Sequence, residues 1–453
     1  MQPSFKLPKR YSFKSIWRIT FPILVALVME ELLGMTDTAF LGRVGEIELG
    51  ASAIAGVYFN ILYMLGFGFS IGVQIIIGRR NGEAYETGKG FEAIGRVFWQ
   101  GVWFLAALSL VTAVLSYFLS PPLLHSILKS ENIYNASVIY VNWRVPGLFF
   151  AFMTALFRAF YVGTWETASL TWNSIVLVAS NILLDWVLIF GHWGAPALGI
   201  QGAAMASTIA EGISMVFFTI WAAFTAEKKY GLQNPVKPVW KELKHMFSTA
   251  SWVMLEYVLN VSVWLLFFLF IEHLGEEQLA IANIVRSISE VPFVFSAAFA
   301  STAATLVSNI IGEGHPEGVI PIIKRVVLLC AATMLPLLAF FALSPHFIIG
   351  LFTDIPSLIQ ASVPTLWVMC AATVVTLPWN VYLQSVAGTG DTRVCLRMDV
   401  VALCIYAVYC TVIIGMMQSS IAVCWTADGV YSLCIWIQCL IYIHGKKWGK
   451  KAI

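Results

Sequence analysis

Twelve apolar stretches, each long enough to cross a bilayer as a helix, leave this chain few folds to adopt. A helix needs about 20 residues to span the hydrocarbon core. The stretches lie near 15–40, 51–78, 93–118, 134–160, 168–190, 198–225, 245–271, 279–311, 320–344, 357–387, 395–417 and 421–443, hereafter spans 1 to 12. A transmembrane barrel would show ten-residue segments of alternating polarity, whereas runs such as VWLLFFLFI and VVLLCAATMLPLLAFFA are continuous. The sequence therefore predicts an all-α polytopic membrane protein. Composition agrees: 59% of the 453 residues are hydrophobic and 11% are charged, against roughly a quarter charged in soluble domains.

The net charge of +2 provides no basic face for nucleic acid. The eight cysteines all fall in the second half, none as a CxxC pair, and the seven histidines are scattered. Neither a disulfide frame nor a metal cluster is expected, and the thiols read as apolar packing groups. The basic N-terminus MQPSFKLPKRYSFKSIWRI runs into a long span without a small-residue cleavage site, so it is expected to remain as a cytoplasmic tail.

Orientation follows from where Lys and Arg fall between the spans. The N-terminal tail, the loops after spans 2, 4, 6, 8 and 10, and the C-terminal tail together hold 23 of the 27. The opposite loops hold only Arg43 and Lys129, while Arg144 and Arg286 lie within or beside spans. Both termini are expected on the cytoplasmic side of a multi-pass protein in a prokaryotic cytoplasmic (inner) membrane.

An internal repeat runs through the chain. Gly45-Glu46-x-x-Leu49 recurs as Gly275-Glu276-x-x-Leu279 and Gly82-Glu83 as Gly312-Glu313, both 230 residues on; GTWET at 163–167 recurs as GTGDT at 388–392, 225 residues on. These landmarks define an N-lobe at 1–225, a basic cytoplasmic linker at 226–244 and a C-lobe at 245–453. Six spans per half is an even number, so the two lobes are expected to be related by a pseudo-two-fold axis along the membrane normal. That plan suits alternating access to a cavity between two bundles.

Charged groups at bilayer depth are costly and mark function by default. The candidates are Glu30, Glu31 and Asp37 in span 1, Asp185 in span 5, Glu211 in span 6, Glu256 in span 7, and Arg286 with Glu290 in span 8. Arg286 and Glu290 stand four apart on one helix face, the spacing of an internal ion pair. Asp37 and Asp185 should lie at similar depth, with Asn181 one turn before Asp185 and the hydroxyls of Ser207 and Thr208 at a comparable level in span 6. Two carboxylates in a poorly hydrated site either share a proton or bind a cation whose shell amide and hydroxyl oxygens complete. Pro22 removes one backbone hydrogen bond within span 1, which makes it a candidate hinge.

These residues resemble the multidrug and toxic compound extrusion (MATE) transporters. The resemblance covers nearly the whole chain: MTDTAFLGRVG in span 1, IIIGRRNGE after span 2, GTWETASLTWNSIVLVASNILLDWVLIFG through span 5, GAPALGIQGAAMAS into span 6 and GTGDTR after span 10. It implies a twelve-helix, two-lobed exporter that exchanges Na⁺ or H⁺ for organic, lipophilic, often cationic compounds, working as a monomer with no cofactor beyond the coupling ion. The first-lobe acid with N-x-x-x-D is similar to the cation site of the DinF-like branch, which carries over to Asp37, Asn181 and Asp185, with Ser207 where the family has Thr and Pro22 at the bending proline. The NorM-like pattern of acids in spans 7 and 10 is met by Glu256 alone, since 357–387 holds no carboxylate; Glu256, Glu290, Arg286, Glu30 and Glu211 are left as substrate or secondary ion groups.

Two other readings separate on chemistry. A lipid-linked oligosaccharide flippase would need cavity cations for a pyrophosphate, for which Arg144 and Arg286 are the candidates. A membrane-embedded transferase would need a histidine beside an acid, for which His125 and His273 are the nearest choices. A major-facilitator transporter is disfavoured because GRRNGEAYETGKG after span 2 lacks the Asp-Arg-x-Gly-Arg pattern of that group.

Overall fold

The structure is a computed structural model that describes residues 7–225, 228–272 and 274–445. His273 and the tail residues Lys6, Lys446, Lys447, Lys450 and Lys451 lie outside the described residues. The described residues are helical throughout, with turns and no strand. Span 1 is Phe13–Leu41, span 2 Glu46–Thr87, span 3 Glu92–Ile127, span 5 Ala168–Phe190 and span 6 Ile200–Thr225. Span 7 is Trp240–Glu272, span 8 Glu276–Gly312 and span 9 Val319–Leu343. Eleven helical segments among the described residues are long and apolar enough to cross a membrane, and span 7, 33 residues long, is the twelfth helix of the set.

The remaining spans are interrupted. Span 4, Glu131–Gly163, is broken by a tight turn at Val145–Gly147 that carries Pro146, whose nitrogen has no hydrogen to donate to the helical ladder. Span 10, Pro356–Gly388, is interrupted at Leu377 and Pro378. Span 11, Thr392–Met416, ends in a wider turn from Thr411, and span 12, Ile421–His444, restarts at Thr426.

The repeat is visible in backbone geometry. The third residue of GTWET, Trp165, has φ 68°, and the third residue of GTGDT, Gly390, has φ 90°. Both copies make the same left-handed turn between two spans. Glycine enters that region freely, while tryptophan does so against its Cβ.

The chain divides into two compact units, residues 21–254, and residues 255–453 together with 1–20. The repeat places the division at the basic linker 226–244; the structure places it inside spans 1 and 7. The first unit holds the linker fast. Trp99 Nε1 donates to the Leu232 carbonyl at 3.0 Å, Trp103 Nε1 to Val236 at 2.9 Å, and Gln100 both donates to Lys237 O at 3.0 Å and accepts from Val239 N at 2.8 Å. The start of span 7 lies so close to span 2 that a Cβ on Gly72 would stand 2.7 Å from Ala250 Cα. In the second unit, fully buried Tyr11 donates its hydroxyl to Glu313, which also pairs with Arg10 at 2.7 Å, while Arg325 donates to the Tyr11 carbonyl at 2.7 Å. Burial beside that carboxylate pushes the Tyr11 hydroxyl well above its usual range. Thr20 meets Thr302 at 2.9 Å, which completes the hold on the first turns of span 1.

Candidate functional site: a paired carboxylate in the first unit

Spans 5 and 6 pack along one another because Gly202 lets their backbones touch. A Cβ at 202 would lie 2.6 Å from the Leu188 carbonyl carbon and 2.9 Å from Ile189 N, both backbone atoms that cannot step aside. The contact sets the register that faces Ser207 toward Asn181. Gly202→Ala is expected to force the helices apart, costing about 1–3 kcal/mol with Asp37, Asn181 and Asp185 untouched. Thermal unfolding of the purified variant checks it; an Ala variant with wild-type stability would show that the close approach is dispensable.

Asn181 and Asp185 are fully buried and Ser207 nearly so. With its amide nitrogen turned to the carboxylates, Asn181 donates to Asp37 Oδ1 at 2.9 Å and to Asp185 Oδ2 at 3.0 Å. Its other amide atom lies 3.3 Å from Ser207 Oγ, and Ser207 donates to Asp37 Oδ2 at 3.4 Å. Turned the other way, the amide would set an oxygen against two carboxyl oxygens, an arrangement that needs protons on the carboxyls or a cation between them. The carboxyl groups of Asp37 and Asp185 are thus bridged by one amide, and the charge of each acts on the other. Among the described residues Asp185 Oδ1 is buried without a hydrogen-bond partner, so the donor set has a free oxygen to offer.

One turn beyond these groups the site is sealed. Leu41, Ile189 and Ala203 stand four residues from Asp37, Asp185 and Ser207, and they pack with Ala51 and Ile200 into one buried cluster backed by Phe40, Val44, Ile133, Ala136, Tyr140 and Phe190. The carboxyl pair is therefore bordered by apolar side chains on that side.

The other sequence candidates fall elsewhere. Thr208 donates to the Trp143 carbonyl at 3.0 Å and does not join Ser207. Glu211 is held by Arg144 through two bonds of 2.8 and 2.7 Å, and the guanidinium sits 3.8 Å from the centre of the Phe59 ring. That guanidinium is the basic group whose charge reaches Asp37 and Asp185. Glu30 pairs with Arg158 at 2.7 Å; Arg158, counted from sequence with the loop after span 4, lies in the helix itself. In the second unit Arg286 meets Glu290 at 3.4 Å in the expected i,i+4 pair, both 40% exposed. Glu256 is buried, and near it lies Asp399, fully buried in span 11, which the sequence reading did not single out. The signal that marks Asp399 is the one that marked Asp185: a lone acid inside an apolar helix. Among the described residues no three of His, Cys, Asp and Glu are grouped to hold a metal.

The comparisons with known proteins agree with this architecture. The MatE family profile matches residues 22–187 and 253–413, and the chain belongs to that family. A protein named probable multidrug resistance protein NorM from Idiomarina loihiensis is 25% identical over 67% of this chain and 65% of its own, so the match spans just under two thirds of that relative. One of the same name from Agrobacterium fabrum is 23% identical over 77% of this chain and 74% of its own. Among solved structures, an outward-facing multidrug resistance MATE family transporter of the MOP superfamily superposes with a TM-score of 0.87 at 16% identity, covering 99% of this chain and all of that one. A MOP superfamily transporter from Pyrococcus furiosus gives 0.84 at 17% with the same coverage. These likenesses fix the fold as that of the MATE transporters, twelve helices in two lobes.

Proposed function

We propose that the protein is a cation-coupled antiporter that exports organic, often cationic, compounds across the cytoplasmic membrane by alternating access, with Asp37, Asn181, Asp185 and Ser207 as its coupling-ion site. The observation that carries this reading is the Asn181 amide set between the buried carboxyl group of Asp185 and the half-buried one of Asp37. Such a site exists in two states, one with a proton or Na⁺ between the acids and one without. Burial makes the unloaded state costly unless the protein rearranges, which is how ion occupancy drives conformation. Substrate class comes from the curated relatives, which are named for multidrug resistance. The use of a first-half site aligns the protein with the DinF-like branch, with Pro22 as the hinge in span 1 and both termini cytoplasmic. The protein carries out no covalent chemistry in this reading and works as a monomer.

The flippase reading loses its chemistry, because Arg144 and Arg286, the cations a pyrophosphate would need, are each engaged by a carboxylate. The test of the antiport reading is counterflow on reconstituted protein with Na⁺ and pH gradients imposed separately. One gradient is expected to drive uptake of a lipophilic cation against its own gradient; indifference to both would overturn the reading.

A further inference from the structure

We infer that the second unit carries a proton-binding site of its own, centred on Asp399 and built from Asn260, Tyr431 and Glu256. The inference rests on the antiport reading for its role in transport but not for its chemistry.

The Tyr431 hydroxyl lies 2.6 Å from Asp399 Oδ1 and 2.9 Å from Asn260 Oδ1, and Asn260 Nδ2 lies 3.1 Å from Asp399 Oδ2. Three polar contacts close a ring, and each needs one hydrogen. The tyrosine hydroxyl supplies one and the amide supplies one. The third can come only from a proton on Asp399. The count does not depend on which way the amide faces, since reversing it moves the required proton from one oxygen of Asp399 to the other. The second amide hydrogen goes to the Glu256 carbonyl at 3.0 Å, which orients Asn260 as described. Asp399 then donates to Tyr431, Tyr431 to Asn260, and Asn260 back to Asp399.

Glu256 is the independent observation. It is 4% exposed, its carboxyl group has no hydrogen bond or ion pair among the described residues, and Asp399 is the charged group that acts on it. A buried carboxyl with no partner, one turn from Asn260 on span 7, is a second place for the same proton. The titratable groups around the two acids are Tyr431, the thiols of Cys395 and Cys439 beside Glu256, and Asp428, which acts on Tyr431 from the start of span 12. None is a base. In the first unit the charge of Arg144 acts on the acids, whereas among the described residues no Lys, Arg or His acts on Asp399 or Glu256. A proton is thus the charge this site takes and gives up. When it leaves, the ring must open at Tyr431, on span 12, so protonation there is tied to how spans 7, 11 and 12 are held together.

The test is infrared difference spectroscopy of the purified full chain through a pH titration. A carbonyl stretch of a protonated carboxyl is expected in the wild type, absent in Asp399→Asn and shifted in Tyr431→Phe, which keeps the ring's shape and removes its hydroxyl. The Tyr431→Phe shift stands as the readout should Asp399→Asn fail to fold. In reconstituted vesicles, protons moved per ethidium exported should fall by one in Asp399→Asn. Bands unchanged in both variants would overturn the inference. The two readings fail separately: coupling lost in Asp185→Asn with bands unchanged in Asp399→Asn and Tyr431→Phe removes the second site alone, while the converse removes the first.

Discussion

Asp185→Asn is expected to abolish gradient-driven export of a fluorescent organic cation in everted vesicles, and Asp37→Asn to do the same. Either change leaves an amide that still fills the space and still bonds to Asn181, so the helices should assemble. What is lost is the charge that binds the ion. A hydrogen bond or contact to a charged partner contributes roughly 1.5–3 kcal/mol, so ion affinity should fall about 10- to 100-fold, with coupling lost altogether because the remaining carboxyl has no second acid to share with. Glu30→Gln is the control. Its pair with Arg158 leaves the Glu30 side chain 45% exposed, and exposed pairs contribute little, so export should stay near the wild-type rate. Undiminished export in both aspartate variants would remove the first-unit site from the mechanism.

The second large effect concerns stability. Arg144 and Glu211 are 11% and 15% exposed and joined by two hydrogen bonds. Arg144→Met leaves the largely covered Glu211 carboxylate without its counter-charge, and breaking such a pair costs about 3–5 kcal/mol. Purified Arg144→Met should unfold at a clearly lower temperature. Replacing both residues by Met should recover most of the loss, because two apolar side chains of similar volume need no counter-charge. Export should not recover with it, since the double variant still lacks the cation that acts on Asp37 and Asp185. A single variant as stable as the wild type would show that the pair holds nothing together.

The sequence made the first site legible because its logic is local. Asn181 and Asp185 share a face by helical periodicity, and Asp37 reaches their depth by its distance along span 1. Thr208 was not legible, since one residue along a helix is a turn of about 100°, which carries its hydroxyl from the site to the Trp143 carbonyl. The engagements of Glu211 and Glu30 are long-range, with partners in span 4 that lie 67 and 128 residues away; no periodicity reveals them. Asp399 escaped for a related reason. At the 225-residue offset its counterpart is Ser174, and that of Asp185 is Cys410. The repeat reproduces the acids at its turns, Glu46 with Glu276 and Glu83 with Glu313, but not Asp185 and Asp399 inside the spans, so comparing the halves gives no hint of a second site.

The chain passes between its two units at Thr20–Phe21 and at Met254–Leu255, and both crossings fall inside continuous helices. A loop would absorb relative motion freely, whereas a helix resists bending through its hydrogen-bond ladder. The two crossings are mechanically unequal. Pro22 sits beside the first, where its missing N–H removes a rung from the ladder; no proline interrupts span 7. One connection is softened and the other is a stiff rod, so strain arriving at the crossings concentrates in the first.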